Sequence, residues 1–185
     1  GILLVDGSSS ASNFHLDTTQ ALYNASIDAL DAGLFNYKLV YNGGEERLIS
    51  LPGEEASQLP TFLTAAQSIW YETSPWLDRQ ADLRDQLKGG EGSVTPGIWG
   101  KALGRWTSRD LSQTVSAGGT SITNNVDYDQ DTYGFVAGVD TGSSNVLGQG
   151  DTLLGGVSAG YVTSDQNFKT SPTTAEYKGA VLGIY

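Results

Sequence analysis

Asp131-Thr132-Tyr133-Gly134-Phe135-Val136-Ala137-Gly138-Val139-Asp140 is the stretch on which the fold of this chain turns. Tyr133, Phe135, Ala137 and Val139 fall in one row of side chains, and Gly134, Val136, Gly138 and Asp140 in the other. That period of two belongs to a β-strand, whose successive side chains leave opposite faces. Outward from it, three more glycine-rich segments repeat the pattern. Residues 98–109 set Trp99, Lys101, Leu103 and Arg105 against Gly100, Ala102, Gly104 and Trp106. Residues 151–163 set Leu153, Val157, Ala159 and Tyr161 against Leu154, Gly156, Ser158 and Gly160. Residues 177–185 set Ala180, Leu182 and Ile184 against Gly179, Val181, Gly183 and Tyr185. Each is about ten residues long, the length of a strand that crosses a bilayer. The polar stretches between them, 110–130, 141–150 and 164–176, run long, short, long, as the connections of an outer-membrane barrel do. A soluble β-sandwich has the same period, so pattern alone leaves both architectures open.

The period differs upstream. Residues 59–87 read as helix, with Pro60 placed for a first turn and Phe62, Ala66, Ile69 and Trp70 on one face. Ser74-Pro75 interrupts it, because the proline lacks an N–H and its ring clashes with the preceding turn. Ser74 is then placed to cap a second helix over 76–87, closed by Gly89-Gly90. Residues 1–53 read as short strands between Ser, Gly and Asn turns: Ile2 to Val5, the alternating 13–17, and 37–41 joined through Asn42-Gly43-Gly44 to 47–51. Residues 19–30 stay ambiguous between helix and turn. These changes of period divide the chain into 1–53, 54–96 and 97–185.

Composition narrows the function. Ten basic against 21 acidic residues give a formal net charge of −11, which repels phosphate backbones and argues against nucleic-acid binding. The chain has no Cys, so disulfides, Cys-ligated metals and thiol catalysis are excluded together. No stretch approaches the ~18 apolar residues of a spanning helix, but barrel strands are short and half apolar. The final run, 177–185, ends without a turn or cap, which leads us to expect further strands.

Taken in order, the segments resemble an autotransporter, a protein of type V secretion in Gram-negative bacteria. Gly33-Leu34-Phe35-Asn36-Tyr37-Lys38-Leu39-Val40 resembles the segment that closes many passengers. Leu59-Pro60, Ala65-Ala66-Gln67-Ser68-Ile69-Trp70 and Trp76-Leu77-Asp78-Arg79 resemble the linker helix that precedes the barrel. Asp82-Leu83-Arg84 followed by Gly97-Ile98-Trp99-Gly100-Lys101 matches the D-L-R helix and the first barrel strand, and 128–140 resembles the second. The resemblance implies a mainly β fold: the end of a passenger β-solenoid (1–53), an α-helical linker (54–96), and the first antiparallel strands of an incomplete outer-membrane β-barrel (97–185). It implies a translocator that anchors and exports its own passenger, with 1–53 at the cell surface. Its partners would be outer-membrane lipid, the outer-membrane assembly machinery and its own upstream passenger, around a monomeric barrel. Some relatives cut themselves between two Asn residues of the linker. Ser74-Pro75 stands at that position here, so the chemistry of Asn cyclisation does not carry over.

Within this frame, Lys101 and Arg105 share one face of the first strand, suited to a polar lumen. There they would meet the linker helix, whose charged residues include Arg79, Asp82 and Arg84, with Asp78 and Asp85 as further candidate acids. Tyr133, Phe135, Val139, Val157, Ala180 and Leu182 would face lipid, and Trp99, Trp106, Tyr133, Tyr161 and Tyr185 would serve as interface aromatics. Asp140-Thr141-Gly142-Ser143 matches the D-T-G-S loop of aspartic proteases, whose chemistry needs two such carboxylates, and no second D-T-G occurs. His15, the only histidine, sits in low-complexity Ser/Gly surroundings and is read as a surface residue. Asp127, Asp129 and Asp131 lack the Gly and distal Glu of a calcium loop and are read as solvated charge. We therefore expect no catalytic residue, no metal and no cofactor. A soluble β-rich adhesin or binding module is the alternative, and an aspartic protease fragment a more remote one.

Overall fold

A computed structural model describes residues 14–74, 79, 82, 96–149 and 151–185, with the backbone alone of 2–5 and 144. Arg84, Asp78 and Asp85 lie outside the described residues, as does the helix expected at 76–87 apart from Arg79 and Asp82, both of which are helical. The chain is mainly β, with antiparallel sheets and, among the described residues, one long helix. In chain order the elements are β1 (Ile2–Val5), β2 (Tyr23–Asn24), β3 (Ala29–Asp31), β4 (Phe35–Asn42), β5 (Glu45–Pro52), α1 (Glu54–Thr73), β6 (Gly97–Arg109), β7 (Ser112–Ala117), β8 (Thr120–Asn125), β9 (Tyr128–Ser144), β10 (Thr152–Phe168) and β11 (Thr174–Ile184). They divide into two compact units, the first made of 1–62, 108–128 and 168–173 and the second of the remainder. No described helix is long and apolar enough to cross a membrane, which leaves strand crossings untouched.

The first unit holds a five-stranded sheet in the order β1-β5-β4-β3-β2 and the two-stranded hairpin β7-β8. Gly43-Gly44 joins β4 to β5 and Gly118-Gly119 joins β7 to β8, all four at positive φ. Two-residue loops of this conformation match the right-handed twist of the strands they join. Ala29, Ile49 and Leu51 of the sheet bury against Ile122 of the hairpin, with Ile27, Val40, Val115 and Ala117 around them. The hairpin is a correction, because polarity alone makes 110–130 read as a loop. Val115 and Ile122 are its sparse apolar anchors. The 13–17 strand is a second correction: residues 14–16 are irregular, and the Asp17 carboxylate accepts from the Thr19 N–H (3.0 Å) to hold a turn. Residues 19–30 resolve into turns and the short β2 and β3.

The helix starts at Glu54, so Pro60 lies in its second turn and not its first. Glu54 and Glu55 put acid at the positive end of the helix dipole. The Ser57 N–H opens the ladder on the Gly53 carbonyl (3.0 Å). Its buried face also differs from the expected one. Ser57, Thr61, Ala65, Ile69 and Thr73, four residues apart, are all buried, whereas Ala66 and Trp70 are exposed. Only Ile69 and the half-buried Phe62 keep their expected side. A buried stripe of small and hydroxylated residues is invisible to a search for apolar periodicity.

The second unit is built on a four-stranded antiparallel sheet in the order β11-β10-β9-β6, with β10 and β11 paired from Val157↔Ile184 to Asn167↔Thr174. The strands extend beyond their expected limits: β9 and β10 have 17 residues each, and only 169–173 separates β10 from β11. Ser164 and Gln166, expected in a loop, are fully buried on β10. Their polarity marks the chemistry of the face they line, not an irregular backbone.

Candidate functional site

The four-stranded sheet has two faces of opposite and inverted chemistry. One face packs against the helix. It carries Lys101 and Arg105 from β6, Gln130, Thr132, Val136 and Asp140 from β9, Ser158, Ser164 and Gln166 from β10, and Tyr177 and Tyr185 at β11. The other face is exposed and carries Ile98, Trp106, Tyr133, Phe135, Val139, Leu153, Val157, Tyr161, Leu182 and Ile184. All six residues expected to face lipid lie on it: Tyr133, Phe135, Val139, Val157 and Leu182 as large exposed side chains, and Ala180 also exposed. Leu182 is 83% and Ile184 89% exposed, values that water would penalise by about 1.5–3 kcal/mol per side chain relative to burial.

The polar groups of the inner face bond largely to one another. Gln130 Nε2 donates to Ser164 Oγ (3.0 Å), and the Ser164 and Thr132 hydroxyls lie 2.8 Å apart. The Tyr177 hydroxyl donates to Gln166 Oε1 (2.7 Å). Such groups are tolerated away from water because they are paired.

The ion pairs of this face are made by Glu72 in α1 and by Arg79 beyond it. Arg105 makes an ion pair with Glu72 in the last turn of α1, and Lys101 Nζ donates to the Glu72 backbone carbonyl (2.9 Å). The helix acid that meets Arg105 is thus Glu72, a residue the sequence had not singled out. Arg79 donates through Nε (3.0 Å) and Nη2 (2.5 Å) to Oδ2 of Asp140, whose side chain is 1% exposed. The Tyr185 hydroxyl donates to the same oxygen (3.1 Å) and accepts from Trp99 Nε1 (2.9 Å), and the Arg79 guanidinium lies 5.5 Å from the centre of the Trp99 ring. Asp82 is engaged by Arg79 Nη1 (2.7 Å) and is 61% exposed, so its main partner is its own helix.

The aromatic expectation divides in two. Trp106, Tyr133 and Tyr161 are on the exposed face, with Trp106 Nε1 donating to the Tyr133 hydroxyl (3.0 Å) across an edge-to-face pair of rings. Trp99 and Tyr185 belong to the inner face, as the position of Trp99 in the Lys101 and Arg105 row implies. A Cβ at Gly138 would come within 2.6 Å of the Trp99 indole, and one at Gly156 within 2.6 Å of the Tyr185 ring. The inner glycines thus make room for aromatic rings.

Asp140, the carboxylate of the D-T-G stretch, is engaged by Arg79 and Tyr185. Among the described residues no group of three His, Asp or Glu is placed to hold a metal ion. Asp127 serves a turn instead, accepting from the Leu111 N–H (2.5 Å) and from Asn125 Nδ2 (3.0 Å). No protein-family model, curated protein or solved structure matches this chain.

Proposed function

We propose that this chain is the translocator part of an autotransporter: a passenger end, a linker helix, and wall strands of an outer-membrane β-barrel with the helix in its lumen. One observation carries the reading. The four-stranded sheet turns its apolar side chains outward and its polar ones toward a helix, which is the sidedness of a wall between lipid and a polar lumen. The exposed apolar run of β6 from Ile98 to Trp106 spans about 26 Å of strand at ~3.3 Å per residue. A tilt of ~40° reduces that to about 20 Å along the membrane normal, near the thickness of an apolar barrel band. Trp106, Tyr133 and Tyr161 would then lie at the lipid headgroups on the side of the β6–β9 connection. The reading requires strands beyond these four, because an open sheet edge in hydrocarbon leaves N–H and C=O groups unpaired.

Residues 1–53 would lie at the cell surface as the closing part of a passenger β-solenoid. Phe35, Tyr37 and Tyr41, exposed on one face of β4, offer upstream passenger residues an apolar platform. Membrane insertion would depend on the outer-membrane assembly machinery, and the barrel would be monomeric. Asp140 would hold the linker helix, with no catalytic role. The soluble-adhesin alternative would leave the whole apolar face in water and is the less favoured.

The test is depth-resolved. Spin labels at Tyr133, Phe135, Val139, Val157, Ala180 and Leu182 of the full-length protein in bilayers should collide with a lipid-soluble quencher, and labels at Gly134 or Ser158 should not. Equal access at the two sets would sink the barrel assignment.

A further inference from the structure

The first unit combines residues from distant parts of the sequence. Its core takes Ala29, Ile49 and Leu51 from the amino-terminal segment and Ile122 from the β7–β8 hairpin. Beside that core, the buried Asn124 of β8 donates through Nδ2 to the Pro52 carbonyl (3.0 Å) and to Ser57 Oγ (2.7 Å). The turn at 169–173 adds a second attachment. Ser171 Oγ accepts from Nε2 of the fully buried Gln58 (2.8 Å), and the Thr170 hydroxyl donates to Glu54 Oε1 (2.5 Å). A third is aromatic: Phe62 packs edge-to-face on Phe168, which also stacks near Tyr128. Apart from the Phe168–Tyr128 contact, each of these joins 1–62 to residues 108–128 or 168–173.

An ordinary loop between strands needs only to connect them. This connection instead folds as a hairpin, presents Val115, Ala117 and Ile122 to the sheet, and spends a buried amide on the backbone at Pro52. We infer that the β7–β8 hairpin, with the 169–173 turn, is a receptor for residues 1–62, and that it retains this segment non-covalently when the backbone between them is cut. On the autotransporter reading, the passenger end would stay on the barrel that exported it, whatever happens to the linker. The contacts themselves do not depend on a membrane, so the two proposals fail separately.

The experiment inserts a protease recognition sequence with flexible flanks between the exposed Leu63 and Thr64 of the full chain. The uncut protein is first checked for unchanged circular dichroism and heat-modifiability in detergent. After cleavage, the amino-terminal fragment should co-elute with the remainder in gel filtration. Replacing 112–125 by a short Gly/Ser connection should abolish co-elution. If that variant does not fold, Asn124→Ala decides: it removes the bonds to the Pro52 carbonyl and to Ser57 Oγ and should release the fragment about tenfold faster than the parent protein, as loss of the buried bond to Ser57 implies. Free fragment from the cut parent, full retention without the hairpin, or an unchanged release rate in Asn124→Ala would each overturn the inference. Accessibility of the wall residues to a lipid-soluble quencher reports on the barrel reading independently.

Discussion

In the five-stranded sheet, Ile49 and Leu51 turn inward to meet Ile122 while Ser50 and Pro52, in the other row of β5, face out. In the four-stranded sheet, Gln130, Thr132 and Asp140 turn inward while Tyr133, Phe135 and Val139 face out. Both alternate with period two, and both have one face covered. The difference lies in what covers them. The hairpin offers Val115 and Ile122, so apolar side chains gain by burying there. The segment facing the four-stranded sheet offers Glu72 in the last turn of α1 and, beyond it, Arg79, so Lys101, Arg105 and Asp140 find partners there. A strand pattern therefore specifies two faces without saying which one is wet, and the partner element supplies the missing sign.

The comparison is broken most forcefully at Asp140. Arg79 and Asp140 are an ionic pair inside a face that, in the other sheet, would hold aliphatic residues. Asp140→Ala leaves a guanidinium with 11% of its side chain exposed and the outlying Asp82 as its remaining carboxylate among the described residues. We expect a loss of about 3 kcal/mol, within the range for removing one partner of a buried pair. A marked fall in the gel-shift melting temperature would report it. Arg79→Gln in the same chain should recover part of the loss, and two additive losses would show that the residues do not act as a pair.

A smaller effect sharpens the question of sidedness. Phe135→Lys places a charge on the exposed face. In a bilayer it should cost about 2–3 kcal/mol, the range for a lysine well inside the apolar band of a barrel. In a soluble module the same change at an exposed site should stay within about 0.5 kcal/mol. Denaturant titration of liposome-refolded protein separates these values. Smaller again is Glu72→Gln, which removes the partner of Arg105. Both side chains are partly exposed, so solvent screening limits the cost to about 1 kcal/mol.

Much of the wall is legible in the sequence. The rows of residues on 98–109, 131–140, 151–163 and 177–185 are the rows observed, because side-chain alternation follows from strand geometry alone. Three features were not legible, each for a physical reason. Ser164 and Gln166 read as loop because polar residues usually meet solvent, whereas here they bury against Gln130, Thr132 and Tyr177 on one face of the sheet. Glu72 has no sequence signal for its role, because the charged linker residues cluster in 76–87, whereas Arg105 meets the turn before Ser74. The role of Asp140 was half visible: its D-T-G context argued against catalysis, but only tertiary structure brings Arg79 to it.

The gentlest probe of the comparison is pH, applied where the hairpin leaves the wall. Asp127 lies between β8 and β9 and is held below the ordinary carboxylate range, first by the hydrogen bond from the Asn125 side chain and then by the one from the Leu111 N–H. Lys169 adds a smaller favourable field, and desolvation opposes all three. A carboxyl depressed in the folded state binds its proton later than in the unfolded chain. Its contribution is therefore complete above the unfolded value, near 3.9, and is lost as pH falls through the folded one. The Leu111 N–H and the Val126 N–H to Leu111 carbonyl bond (2.9 Å) tie the two ends of the hairpin together. Acidification should then loosen the hairpin ends while the wall strands, held by their backbone ladders, keep their protection. Hydrogen exchange at Leu111 and Val126, followed from pH 6 to below the folded value, should accelerate in the native protein. In Asp127→Asn that acceleration should be absent, because no proton is left to bind. Equal acceleration in both proteins would assign the acid response to other carboxylates and leave Asp127 as surface charge.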